Sequence, residues 1–144
     1  MRLSAKTEYA SLAMLELARR QDDEQPARLR EIAEAQGVPS RFLVHILLQL
    51  KAAGLVTSTR GAFGGYRLAR DASSITLADI HDVFDGPRDV STSLGQDAPL
   101  SRASQVLLDA WQGVARREYE ALESLDLATL ASQVEVTDEA MYYI

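Results

Sequence analysis

Apolar residues spaced three and four apart mark out a series of helices, interrupted once by a short stretch with strand character. Over 4–20, Ala10, Ala13, Met14 and Leu17 share one helical face. Ser4 is a helix-opening residue, and Arg19 and Arg20 suit the negative end of the helix dipole. The polar run Gln21–Gln25 with Pro26 predicts a loop. A second helix over 28–36 aligns Leu29, Ile32 and Ala33 and stops at Gly37. Pro39 sits at or near the first turn of a third helix, which runs to about Ala53, carries Leu43, Ile46, Leu47 and Leu50 inward and ends at Gly54.

The period then shortens. Leu55–Ser58 reads as a strand, Gly61–Gly65 as a turn and Tyr66–Ala69 as the returning strand. Two short helices joined at Gly37-Val38 form a helix-turn-helix, a pattern that generic helix pairs also produce. The hairpin that follows makes it a winged helix. Asp71–Ser74 forms a turn, and Thr76 with Asp79 stands in capping-box spacing before a helix to about Phe84, closed by Gly86-Pro87. Residues 88–99 read as an irregular loop. A long helix over 101–123 repeats Ala103, Leu107, Ala110, Trp111, Val114 and Leu122 at near 3–4 spacing. A shorter helix is predicted at Leu127–Ser132, then a tail ending in the apolar Met141-Tyr142-Tyr143-Ile144. The expected fold is mainly α: a winged helix-turn-helix domain over 1–86 with a two-stranded wing, and a C-terminal part over 87–144 built on the long helix.

Charge sharpens this division. The chain of 144 residues has a net charge of −6. Residues 1–70 carry eleven Lys and Arg against seven acids, a balance of +4, and residues 71–144 carry four against fourteen, a balance of −10. The basic half fits a polyanion partner. Ser58–Arg70 concentrates Arg60, Arg67 and Arg70 with Gly61, Gly64 and Gly65, a composition suited to a tight hairpin tip that touches nucleic acid. No apolar run approaches the length of a membrane span, and the N-terminus lacks the series of a signal peptide, so a cytoplasmic protein is expected. Cysteine is absent, which excludes disulfides and thiolate metal sites. The two histidines, His45 and His81, lie 36 residues apart, so no metal site or cofactor is expected; His81 beside Asp82 reads as a surface residue. No nucleophile–base pair, phosphate loop or metal-ligand spacing points to an enzyme.

Several motifs in order resemble one family. Met1–Ala10, Glu31-Ile32-Ala33-Glu34, Gly37-Val38-Pro39, Phe42-Leu43, Leu50–Val56, Arg60-Gly61, Gly64–Ala69 and Ile75–Ile80 resemble the IscR/NsrR/CymR family of bacterial transcription regulators, the Rrf-two family. The match is nearly continuous over 1–86; beyond it only the long helix and Ser124–Leu130 are similar. The resemblance implies a homodimeric DNA binder whose long C-terminal helices pack together and which controls a promoter, usually by repression. Many members hold an iron–sulfur cluster with cysteines in the loop after the fourth helix. Here that loop reads Val90-Ser91-Thr92-Ser93-Leu94, with hydroxyls and no thiolate, so the cluster is not supported. Glu8, at an oxygen-ligand position of some relatives, reads as a first-turn helix acid.

Within this frame Ser40, Arg41, Val44 and His45 lie off the apolar face of the third helix, as the base-reading residues of a recognition helix do. Arg41 is placed to fork onto guanine, His45 to donate to a base or phosphate, and Val44 to meet a thymine methyl or simply to be exposed. Arg60 beside Gly61 at the wing tip suits a narrow minor groove, whereas Arg67 on the returning strand contacts DNA or pairs with an acid. The family's commoner Pro-Gly tip is Ala62-Phe63 here, with Phe63 set against DNA sugars or against the wing itself. Lys6, Tyr9 and Arg28 are candidate phosphate contacts. Leu107, Ala110, Trp111, Val114 and Leu122 are assigned to dimerisation. The expected partners are a roughly palindromic double-stranded operator and a second copy of the chain. Without cysteine, the signal falls to an unidentified small-molecule effector, a partner protein or concentration alone. The competing reading is a winged-helix protein-interaction module that does not bind DNA.

Overall fold

The computed structural model describes residues 1–86, 90 and 92–142. Helix α1 (Ala5–Arg19) lies at the centre, capped by the Ser4 hydroxyl, which accepts from the Thr7 N–H at 3.2 Å. Its Ala10 and Ala13 are fully buried beside Met14 and Leu17. Small side chains there let the neighbouring helices approach closely. Helices α2 (Leu29–Gln36) and α3 (Ser40–Ala52) form the expected helix-turn-helix. Each ends on a glycine with positive φ, Gly37 at 64° and Gly54 at 79°. The N–H of the next residue turns back in both cases, Val38 to Ala33 O at 3.1 Å and Leu55 to Leu50 O at 2.9 Å. Leu55 thus belongs to the helix ending, which moves the first strand one residue beyond its expected start.

Strands β1 (Val56–Thr59) and β2 (Gly65–Leu68) pair antiparallel, with Val56 opposite Leu68 and Thr59 opposite Gly65. Ala27 adds a single antiparallel rung on the other side of β2. Its N–H donates to Tyr66 O at 3.0 Å, and the Tyr66 N–H donates back to Ala27 O at 2.7 Å. Two glycines permit this compactness. A Cβ on Gly65 would lie 2.4 Å from Ala27 O, and one on Gly64 would lie 2.2 Å from Thr59 O.

After a single 3-10 turn at Ala72–Ser74, α4 (Leu77–Phe84) opens with the expected reciprocal Thr76–Asp79 capping box. Helix α5 (Arg102–Glu123) has no buried residue. The chain then returns to the body: Leu77 N–H donates to Leu125 O and Leu127 N–H to Ile75 O, both at 2.9 Å. Helix α6 (Leu127–Tyr142) packs on α1 and places Leu127 and Ala131 in the main core. It is far longer than the predicted Leu127–Ser132. Val134, Val136 and Thr137 have modest helix propensity, and the segment is held by ion pairs from Arg19 to Glu135 (3.1 Å) and Asp138 (3.6 Å). Ser91, Tyr143 and Ile144, singled out in the sequence, lie outside the described residues. No helix among the described residues is long and apolar enough to cross a membrane.

Candidate nucleic-acid interface

Helix α3 divides its side chains as the sequence predicted. Leu43, Ile46, Leu47 and Leu50 are buried, whereas Ser40, Arg41, Val44, His45 and Leu48 are exposed. The start of α1 lies alongside. Between them runs a groove of about 370 Å³ lined by Ala5, Lys6, Tyr9, Phe42, His45 and Ile46. Three residues singled out in the sequence, Lys6, Tyr9 and His45, therefore meet at one place. Phe42 organises the groove, a role that sequence reasoning missed. Its ring stacks on Tyr9 with centroids 6.1 Å apart and planes 16° apart, and the Arg41 guanidinium carbon sits 4.8 Å from its centroid. The available signal was an aromatic residue off the helix's leucine face.

Two polar networks fix these elements. At the far end of α1, Glu16 is buried and accepts from Arg20 Nε and Gln36 Nε2, each at 2.7 Å. Burial pushes its carboxyl up, but those hydrogen bonds and the flanking arginines outweigh this and hold it below its usual range. Arg20 also reaches Glu31 at 3.0 Å, so α1 is tied to α2. At the near end, the Thr7 hydroxyl donates to Asp85 Oδ2 at 2.7 Å, which joins α1 to the end of α4 and lowers the Asp85 carboxyl's pKa. Glu8 is a first-turn acid, as expected. His81 is not a surface residue: it is 2 % exposed, with Nδ1 3.8 Å from Asp82 Oδ1 and Nε2 3.9 Å from Asp85 Oδ2. Helix α4 is packed against both α1 and α5, so a side chain outside its own apolar pattern is still enclosed.

The arginines of the wing differ in what they touch. Arg28 donates to the Ala62 carbonyl and so links the start of α2 to the wing tip. Arg67 is half-buried and pairs with no acid side chain among the described residues; its guanidinium donates to the main-chain carbonyls of Asp23 (2.9 Å) and Glu24. Arg70 pairs with Asp79 at 3.0 Å. Arg60, beside Gly61 (φ 109°), is exposed. Among the described residues the side chains of Lys6, His45 and Arg60 make no hydrogen bond or ion pair, which leaves their donors open to a ligand. The dimerisation candidates all lie on α5. Leu107, Ala110, Trp111 and Val114 are exposed along α5, and Leu122 is half-buried.

A cysteine-held iron–sulfur cluster does not fit this chain. It has no thiolate, and the described residues contain no group of three or more His, Cys, Asp or Glu placed to hold a metal.

The family model described as Rrf2, iron-dependent transcriptional regulator, matches residues 3–133. The chain is 34% identical to the HTH-type transcriptional regulator CymR of Bacillus subtilis over 145 residues, covering all of both chains. It is also 34% identical to IscR of Photorhabdus laumondii over 140 residues, 97% of this chain and 85% of that one. Among solved structures, CymR, the global cysteine regulator of B. subtilis, superposes with a TM-score of 0.79 at 33% identity, covering 92% of this chain and 98% of that one. The IscR of T. potens superposes at 0.76 and 34% identity, covering 95% and 90%. These relatives are transcription regulators, not enzymes. With the winged helix in place and the match running across nearly its whole length, the chain belongs to the Rrf2 family of helix-turn-helix transcription regulators.

Proposed function

We propose that two copies of this chain pair through α5 and bind a roughly palindromic operator as a repressor. The observation that carries this is the split of α3, with four leucine and isoleucine side chains inward and Ser40, Arg41, Val44 and His45 outward. Helix α3 enters the major groove, where Arg41 forks onto guanine and His45 and Ser40 donate to base or backbone. Lys6, Tyr9 and Arg28 hold phosphates and set register. Arg60 and Gly61 present the wing tip to the minor groove. Arg67 supports the wing by gripping the carbonyls of Asp23 and Glu24. Leu107, Ala110, Trp111, Val114 and Leu122 form the seam between copies. The chain has no cysteine to ligate a cluster, so the signal falls to an unidentified small-molecule effector, a partner protein or concentration alone.

The test is binding to duplexes from the region upstream of the protein's own gene, followed by fluorescence anisotropy over a salt series. Two chains should bind per site, with affinity falling steeply as salt rises, since about three phosphate contacts per subunit release their counterions. Arg41→Ala should cost about 1–3 kcal/mol of base discrimination. A flat salt response sinks the electrostatic picture. A dimer that holds no duplex is instead the protein-interaction module.

A further inference from the structure

The wing tip carries a side chain with no part in the fold. Phe63 is 75 % exposed, more than any other large hydrophobic side chain among the described residues. The sequence left it against the wing or against DNA, and that exposure removes the first choice. It takes part in neither of the ring contacts found among the described residues, which involve Tyr9, Phe42 and Arg41. An aromatic ring left in water contributes nothing to stability there.

Its backbone, by contrast, is held on both sides. Ahead of it, the Ala62 carbonyl accepts from Arg28 at the start of α2. Behind it, the Gly64 N–H donates to Gly61 O at 3.0 Å and closes the tip, in a turn so tight that a Cβ at 64 would lie 2.2 Å from Thr59 O. The tip is therefore a braced apolar point, and Arg60, with its fork open, lies on the same five-residue turn. Proteins that bind the minor groove combine these two elements. A cation follows the negative potential of the groove, and an apolar wedge bears on a base step and partly unstacks it. A wedge needs a rigid backing, because a mobile tip would yield before the stacked bases do.

We infer that Phe63 is an apolar wedge that the wing sets into the minor groove at a flexible pyrimidine–purine step, adding sequence preference where Arg60 reads groove width alone. This deepens the DNA-binding reading above and rests on it. TA and CA/TG steps open at least cost, so they are favoured under the tip.

The experiment uses the full chain and a duplex that it selects from a random pool, with 2-aminopurine placed at the step under the wing. Wild-type binding should raise the probe's fluorescence, and replacing the step by a purine–purine one should weaken binding. Phe63→Ser should bind roughly tenfold more weakly, lose the step preference and leave the probe dark. Phe63→Leu should retain most of all three. Because the side chain is exposed, thermal unfolding should be the same in all. Arg60→Ala should weaken binding to every duplex yet keep the step preference. If Phe63→Ser matches wild type in affinity, preference and fluorescence, the wedge is refuted while DNA binding stands. If wild type selects no duplex, the DNA-binding reading fails and the wedge with it.

Discussion

In α3 the side chains of Leu43, Ile46, Leu47 and Leu50 are at most 2 % exposed, whereas in α5 Val106, Leu107, Trp111 and Val114 stand 55–61 % exposed. Both helices repeat apolar residues at the same spacing, and both carry enough of them to bury a face. The difference lies in what each meets. Helix α3 closes on α1, α2 and β1 of its own chain. Helix α5 touches the body mainly through α4, and its apolar stripe looks outward. Periodicity therefore tells that a face must be covered, not by what. For α5 the proposed cover is a second copy, which presents the same stripe under two-fold symmetry.

The largest effect should come from charging that stripe. With Leu107→Asp and Trp111→Asp together, sedimentation should find a monomer. Affinity for a two-half-site duplex should drop by at least about a hundredfold, since the half-sites no longer share a linked partner. The body should keep its helical circular dichroism. Leu47→Ala is the counterpart in α3. It should cost about 2–5 kcal/mol of stability through a buried cavity, independent of protein concentration. If the α5 double variant remained dimeric, the seam would lie elsewhere.

The same comparison explains what could be read in advance. The ends of α1 to α4 were legible because local chemistry sets them: Ser4, Gly37, Gly54, and Thr76 with Asp79 act within a few residues of themselves. The exposed side of α3 followed from its leucines. What escaped depends on distant partners. The Ala27–Tyr66 rung joins a loop to a strand across 39 positions, and no local pattern marks it. Burial of His81 requires α1 and α5 to close around α4. Arg28's link to Ala62 depends on the wing folding back, which no local pattern marks. The extent of α6 was hidden by β-branched residues that a core contact and two ion pairs overrule.

A smaller effect should follow from Gly65→Ala, which strikes the wing without touching α5. The added methyl carbon would meet Ala27 O at 2.4 Å and Ala27 C at 2.7 Å. Main chain cannot yield as a flexible side chain does, so the rung to Tyr66 must open, and Arg28 loses its register with Ala62. The expected cost is about 1–3 kcal/mol in chemical denaturation. Weakened DNA binding and unchanged self-association should accompany it. A matching loss of dimer would show that the two regions are not independent.

The smallest effect probes the joint between them. The Tyr119 hydroxyl of α5 donates to Asp82 Oδ2 of α4 at 2.6 Å. That hydrogen bond to a carboxylate, with burial and nearby acids, pushes the phenol pKa up to about 12. A folded-state pKa above the unfolded value near 10 means that the stabilisation is complete below about pH 10. It is lost as pH rises toward 12. Tyr119→Phe removes the donor, leaves the ring and should cost about 1 kcal/mol at pH 7–9. The gap from wild type should close between about pH 10 and 12, which denaturant titrations at each pH would resolve. The variant should still dimerise, because the apolar stripe is untouched. It should hold α5 less firmly to the body, so its DNA affinity should fall more on a duplex with two half-sites than on one with a single half-site. Equal losses on both duplexes would mean that this bond supports the fold of the body and does not set the angle at which α5 leaves it.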